Sequence, residues 1–186
     1  MNVKLLEQFD MFYKLKCLIR YNNRMKIETE SVAEHSYYVT LFTNFICDKV
    51  KDINRTKALQ MALIHDIPEI YISDIPYPTR KMFPSIEEES NKAELEIIKE
   101  KLSDKYLEIF KEFNDKKTRE SLVVELADIL SVLIYANNEI LLGNKTMKKI
   151  FDITLTRYHD ILKRLELTEE ELIFINLKGD KYDRIP

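Results

Sequence analysis

The chain has 186 residues, of which 45% are hydrophobic and 33% charged, a size and balance suited to one soluble globular domain. Two glycines in that length argue against a turn-rich β fold, and a net charge of −3 supplies no basic field for nucleic acid or an anionic membrane. A phosphate-bearing ligand must therefore be held locally, by a metal or by individual arginines and lysines. No apolar run of about 18 residues is present, so no membrane span is expected. The start, MNVKLLEQFD, lacks the apolar stretch of a signal peptide. Cys17 and Cys47 are too few for a disulfide framework and read as reduced core residues of a cytoplasmic protein.

Apolar spacing of three and four residues predicts helices over 3–19, 31–51, 55–67, 85–103, 118–142 and 145–164. Shorter turns are expected at 68–73, 105–113 and 168–175. Ser31 and Glu34 form a capping-box pattern, Asn54 is placed to cap the third helix, and Gly143 stands where a left-handed C-terminal cap belongs. The stretch from Ser73 to Pro84 carries three prolines and is expected to be one long, irregular loop, as functional loops often are. Nothing marks a second domain. One domain is expected over 1–186, with a motif-bearing core at about 15–142, C-terminal helices within 145–175, and a tail at 178–186 that frays or docks.

Three polar residues sit on apolar faces. His35 shares its face with Val32, Tyr38, Val39, Phe42 and Ile46, and His65 follows Ala58, Met61 and Ala62. Asp128 is flanked by Val124, Val132 and Tyr135. A lone inward histidine is usually a hydrogen-bonded core residue, but an ionised carboxylate removed from water must be paired, metal-bound or protonated. Two inward histidines and an inward aspartate together point to a shared divalent cation. His65 and Asp66 diverge by about 100° around a helix, so they can share a metal only near one edge of it. Glu69 follows them by four and three residues. Beside an open metal position it is placed to move a proton, and the bland reading is a solvated helix-end acid.

The order and spacing of His35, His65-Asp66 and Asp128 resemble the signature of the HD-domain phosphohydrolase superfamily. Arg20-Tyr21, the run Thr29 to Ser36, His65-Asp66-Ile-Pro-Glu69 and Asp74-Ile75-Pro76-Tyr77-Pro78 are similar to one branch, the bacterial 5′-deoxynucleotidases. The resemblance spans about 3–142 and implies an all-α, single-domain HD-type helical bundle, usually homodimeric, that removes phosphate from deoxyribonucleoside 5′-monophosphates. It implies one divalent transition metal such as cobalt or manganese, held by His35, His65, Asp66 and Asp128. Glu69 falls on the catalytic carboxylate and Arg20 on the arginine that orients phosphate. Tyr21 and the segment Asp74, Ile75, Pro76 and Tyr77 fall on positions that hold the nucleoside, with His35, Asp66 and Asp128 also facing the substrate. The branch typically has tryptophan at Tyr21 and threonine at Tyr77, and commonly glycine before Asp74.

Weaker candidates remain. Arg20 is also consistent with a helix-end charge, Arg80 and Lys81 with a solvated loop, and His159 with an exposed helix face. Rival functions are an HD phosphohydrolase of cyclic nucleotides, guanosine polyphosphates or nucleoside triphosphates, and a non-catalytic metal-binding scaffold. With three histidines in the chain, a second metal is not expected.

Overall fold

The computed structural model describes residues 3–175, and the expectation for the 178–186 tail lies outside them. The described residues are all-α apart from an isolated antiparallel bridge between Ile19 and Ser31. In chain order the helices are α1 (Val3–Tyr13), α2 (Val32–Cys47), α3 (Arg55–Ile64), α4 (Glu69–Ile72) and α5 (Tyr77–Met82). There follow α6 (Pro84–Lys101), α7 (Asp104–Asp115), α8 (Arg119–Leu141), α9 (Lys148–Leu165) and α10 (Glu169–Ile175).

The helix ends follow local chemistry. Ser31 Oγ accepts from the Glu34 N–H at 3.2 Å while the Glu34 carboxylate accepts from the Ser31 N–H at 2.7 Å, so α2 begins with both orphan donors satisfied. Asn54 caps α3 by accepting from the Lys57 N–H at 3.1 Å. Gly143, at φ +107°, lets the chain turn back after α8, and the Asn144 N–H then reaches the Glu139 carbonyl at 2.8 Å.

The core centres on α8, whose 23 residues pack against α2, α3, α7 and α9. Val123, Val124, Leu126, Ala127 and Leu133 are buried there with Val39, Met61 and Phe110. Ala58, Ala62 and Ala127 are fully buried. Such small side chains let helices approach closely, and enlarging one of them would cost about 1–3 kcal/mol in overpacking.

Several expectations need correction. The first helix stops at Tyr13 and tightens into a 3-10 turn over Lys14–Cys17. Residues 105–113 belong to a full 12-residue helix, because Leu107, Phe110 and Phe113 give it a buried face. The proline-rich stretch is irregular at Ser73–Pro76 and at Phe83, and helical elsewhere. Pro78 lies in the first turn of α5 and Pro84 in the first turn of α6, where the missing N–H has no helical partner to lose. Cys17 is exposed rather than core and Cys47 is half-buried, since the 3-10 turn rotates Cys17 off the buried face.

Candidate active site

The site is assembled from three chain segments. The Ile19–Ser31 bridge, with the Arg20 N–H on the Glu30 carbonyl at 2.9 Å and the Val32 N–H on the Leu18 carbonyl at 2.8 Å, ties the Arg20 strand to the entry of α2. One turn inside α2, His35 points into the core and is 1% exposed. The second segment departs from expectation: α3 ends at Ile64, so His65 and Asp66 stand in the turn that leads to α4. The turn keeps a helical backbone, with His65 at φ −58° and ψ −35° and the Ile67 N–H on the Ile64 carbonyl at 3.1 Å, so the two side chains leave neighbouring positions of a tightened turn. The third is α8, which presents Asp128.

One donor atom each from His35, His65 and Asp66 lies within 4.8 Å of the other two. Asp66 Oδ2 is 3.1 Å from His65 Nε2 and 3.6 Å from His35 Nε2. Asp128 reaches this group from the His35 side, its Oδ1 lying 3.2 Å from His35 Nε2. His35 Nε2, His65 Nε2 and Asp66 Oδ2 are all buried and lack hydrogen-bond partners. The outer nitrogens, by contrast, are engaged. His65 Nδ1–H donates to the Ala62 carbonyl at 2.8 Å, and His35 Nδ1 meets Ser131 Oγ at 3.1 Å. A carbonyl only accepts, so the Ala62 contact puts the proton on Nδ1 and leaves the Nε2 lone pair of a neutral His65 free. Three buried, unpaired donors converging on one point match what a divalent cation requires, and the two-His, two-carboxylate set fits a transition metal.

The charges divide sharply. Burial lowers His35 to about 4, with Arg20 acting in the same sense, so its imidazole is neutral at pH 7. Burial also opposes a proton on His65, but Asp66 and Asp128 outweigh it and raise the pKa. Despite burial, His65, His35 and Arg20 hold Asp66 at about 2, and the two histidines keep Asp128 well below the usual carboxylate range. Glu69 goes the other way, raised well above its ordinary value by burial and by the charges of Asp66 and Asp74. Glu69 Oε2 is buried and unpaired.

Arg20 is not a solvated helix-end charge. Its side chain is 13% exposed, with Nε 3.3 Å from Glu30 Oε2 and Nη1 3.6 Å from Asp66 Oδ2. Arg80 is likewise not on a solvated loop, because it pairs with the largely buried Glu94 at 2.8 Å. Both arginines act on Glu69. Asp74, Ile75 and Pro76 are half-buried, and burial pushes the Asp74 carboxyl up against the pull of Arg20. Asp74 borders a surface depression together with Cys17, Leu18, Ile19, Asn22 and Ser73. Tyr77 is exposed, with its ring 4.9 Å beneath the Arg157 guanidinium. His159 is exposed, as expected.

Sequence reasoning missed a supporting ladder on α8. Asp128, Ser131, Tyr135 and Glu139 recur at three- and four-residue intervals on one stripe of the helix. Ser131 meets His35, Tyr135 stacks on Tyr21 with centroids 4.9 Å apart, and Glu139 accepts from the Ile27 and Glu28 backbone N–H groups at 2.9 and 2.7 Å. The signal was available: Glu139 and Ser131 interrupt an apolar helix just as Asp128 does. Glu30, which steadies Arg20, carried no comparable mark.

An HD-domain family profile matches residues 12–168. A 5′-deoxynucleotidase of Dictyostelium discoideum is 29% identical over 184 residues, covering 89% of this chain and 96% of its own length. A 4′-phosphooxetanocin A phosphatase of Priestia megaterium is 31% identical over 77 residues, which span 39% of this chain and 40% of the relative. Among solved structures, a protein from Pyrococcus horikoshii superposes with a TM-score of 0.77 at 30% identity, covering 92% of this chain and 96% of that one. With the converging histidines and aspartates in place, the chain belongs to the HD-domain superfamily of metal-dependent phosphohydrolases and resembles its 5′-deoxynucleotidase branch.

Proposed function

We propose that this protein hydrolyses nucleoside 5′-monophosphates, with 2′-deoxyribonucleotides preferred, and that it does so as a homodimer. The observation that carries the reading is the pairing of two unlike features: three metal donors without hydrogen-bond partners, from His35, His65 and Asp66, and the open carboxyl of Glu69 within reach of the Asp66 charge. His35, His65, Asp66 and Asp128 would hold one divalent transition metal, which supplies a Lewis acid for the phosphoryl oxygens and for water. The similarity to the 5′-deoxynucleotidase of Dictyostelium discoideum supports the substrate class.

The chain's own groups divide the remaining work. Arg20, with Nε 3.3 Å from Glu30 and Nη1 3.6 Å from Asp66, would turn its Nη groups to two phosphate oxygens where Asp66 is engaged with a metal. Hydrolysis forms a P–O bond from water and breaks the bond from phosphorus to the nucleoside O5′. Burial and the charges of Asp66 and Asp74 bias Glu69 towards its protonated form, which suits it to give a proton to the departing O5′. Asp74, Ile75, Pro76 and Tyr77 wall the sugar, with Asp128 and Asp66 facing it from the other side. Excluding a substrate that merely adds a hydroxyl yields discrimination on the order of 10² at most.

The test is phosphate release from paired deoxy and ribo monophosphates, cyclic nucleotides, guanosine polyphosphates and triphosphates, across several added metals. Monophosphates should be turned over fastest, the deoxy member of each pair ahead. Equal or faster turnover of ribonucleotides would remove the deoxy preference, and preference for a cyclic, poly- or triphosphate would replace the substrate class. Protein that holds metal tightly and releases phosphate from nothing would be a scaffold. Sedimentation velocity tests the homodimer.

A further inference from the structure

Tyr21 has a backbone φ of +53°, in the left-handed region that residues with a Cβ rarely adopt and that persists where the surrounding structure enforces it. Its ring lies flat on Tyr135, with planes within 1° of parallel. The two phenols of this stack meet different fates. The Tyr135 hydroxyl donates to the Glu28 carbonyl at 2.7 Å, which leaves it committed to the loop. Tyr21 Oη is shut away from solvent; Arg20 is its near donor, and its own O–H reaches no acceptor. A buried hydroxyl left open in this way is unfavourable, and a ligand atom that pairs with it recovers the lost hydrogen bond.

The surroundings of that hydroxyl indicate which ligand atom. The Arg20 guanidinium carbon lies 5.5 Å from the Tyr21 ring centroid, and the phenol lies within range of Arg20, Glu30 and Asp128. Asp74, on the proposed sugar wall, meets the Tyr21 backbone instead. The phenol therefore faces the end of the pocket occupied by Arg20 and the metal-ligand residues. Glu30 and Asp66 both lie against Arg20, 3.3 Å from Nε and 3.6 Å from Nη1, so a phosphate shares this guanidinium with two carboxylates. A neutral O–H adds a donor there without adding positive charge beside a metal. Tyr77 is not placed for this task, since it is 47% exposed and covered by Arg157.

We propose that the Tyr21 hydroxyl is a second donor, beside Arg20, to the non-bridging oxygens of the phosphoryl group that is hydrolysed. This rests on the phosphatase reading above and assigns Tyr21 to the phosphate rather than to the nucleoside.

Tyr21→Phe removes the hydroxyl and keeps the stack. On metal-loaded protein, two measurements are made: the dissociation constant of inorganic phosphate by calorimetry, and kcat and KM for a deoxy and ribo monophosphate pair. The variant should bind phosphate about 10-fold more weakly, the worth of one hydrogen bond to a charged partner. Its kcat/KM should fall by about 10- to 10²-fold, equally for both sugars, with metal content unchanged and a melting temperature no lower than that of the wild type. A fall confined to ribonucleotides overturns the proposal, because the hydroxyl would then serve the 2′-OH. Unchanged phosphate binding and turnover overturn it as well, leaving Tyr21 a packing residue. If the wild type hydrolyses no nucleotide yet loses phosphate affinity on Tyr21→Phe, the nucleotide reading fails and the phosphate contact stands.

Discussion

Glu139→Ala tests whether the α8 ladder holds the substrate pocket together. The Glu139 side chain is fully buried, and its carboxylate accepts from the Ile27 N–H, the Glu28 N–H and Asn144 Nδ2, all between 2.7 and 3.1 Å. These bonds fasten the segment that links Arg20 and Tyr21 to Glu30. Each donor stranded without its acceptor costs about 1–3 kcal/mol, and bonds to a charged group sit at the upper end. Full burial of all three donors would therefore predict roughly 6–9 kcal/mol. Ile27 and Glu28 are themselves exposed, however, so their N–H groups recover water once the carboxylate is gone. That reduces the expected loss to about 2–3 kcal/mol, or roughly 5–10 °C in melting temperature for a chain of this length. Hydrogen exchange at residues 25–28 should accelerate, and KM should rise because the anchorage of Arg20 and Tyr21 loosens. Glu139→Gln, which retains one acceptor oxygen, should lose about 1 kcal/mol. A Glu139→Ala protein that melts within about 1 °C of the wild type, with unchanged exchange, would refute the clamp.

Other expectations follow from the site itself. His65→Ala and Asp66→Ala should each abolish both bound metal and phosphate release, and retention of either by these variants would contradict the ligand set. Glu69→Gln should keep its metal while turnover falls by roughly 10²–10⁴-fold, whereas loss of metal would make Glu69 a ligand. Arg20→Lys keeps the charge but loses the planar fork, so activity should drop markedly; a lysine variant with wild-type kinetics would demote Arg20. Metal-free protein should lose stability between pH 6.5 and about 4, because His35 has its folded-state pKa at about 4 and the unfolded chain takes up the proton first. That contribution, up to roughly 3 kcal/mol, is fully present above 6.5 and is lost as pH falls; the raised His65 opposes it. Urea midpoints across that range should slope less in His35→Asn, and identical slopes would reject the assignment.

Much of the site was legible before any coordinates. His35 and Asp128 stand out because charge or polarity on an apolar stripe is costly unless something inside the fold repays it. Capping at Ser31, Asn54 and Gly143 was equally clear, since those bonds close within a few residues. The sequence marks Tyr21 through the resemblance, but not its left-handed backbone or its stack on Tyr135. Arg80 was misread as solvated because its partner, Glu94, lies on another helix.

The sequence by itself determined helix content, most helix starts and the residue types able to hold a metal, all of which depend on local bonding or on 3.6-residue periodicity. Tertiary structure decided the rest. The His35–Ser131 bond joins residues 96 apart, and the Glu139 anchor on Ile27 joins residues 112 apart. Periodicity reports which face of a helix is buried, but the partner across the gap depends on how helices dock. The end of α3 at Ile64 has a local cause, because Pro68 offers no N–H to the Ile64 carbonyl, whereas the convergence of His65 and Asp66 with His35 depends on how the helices dock.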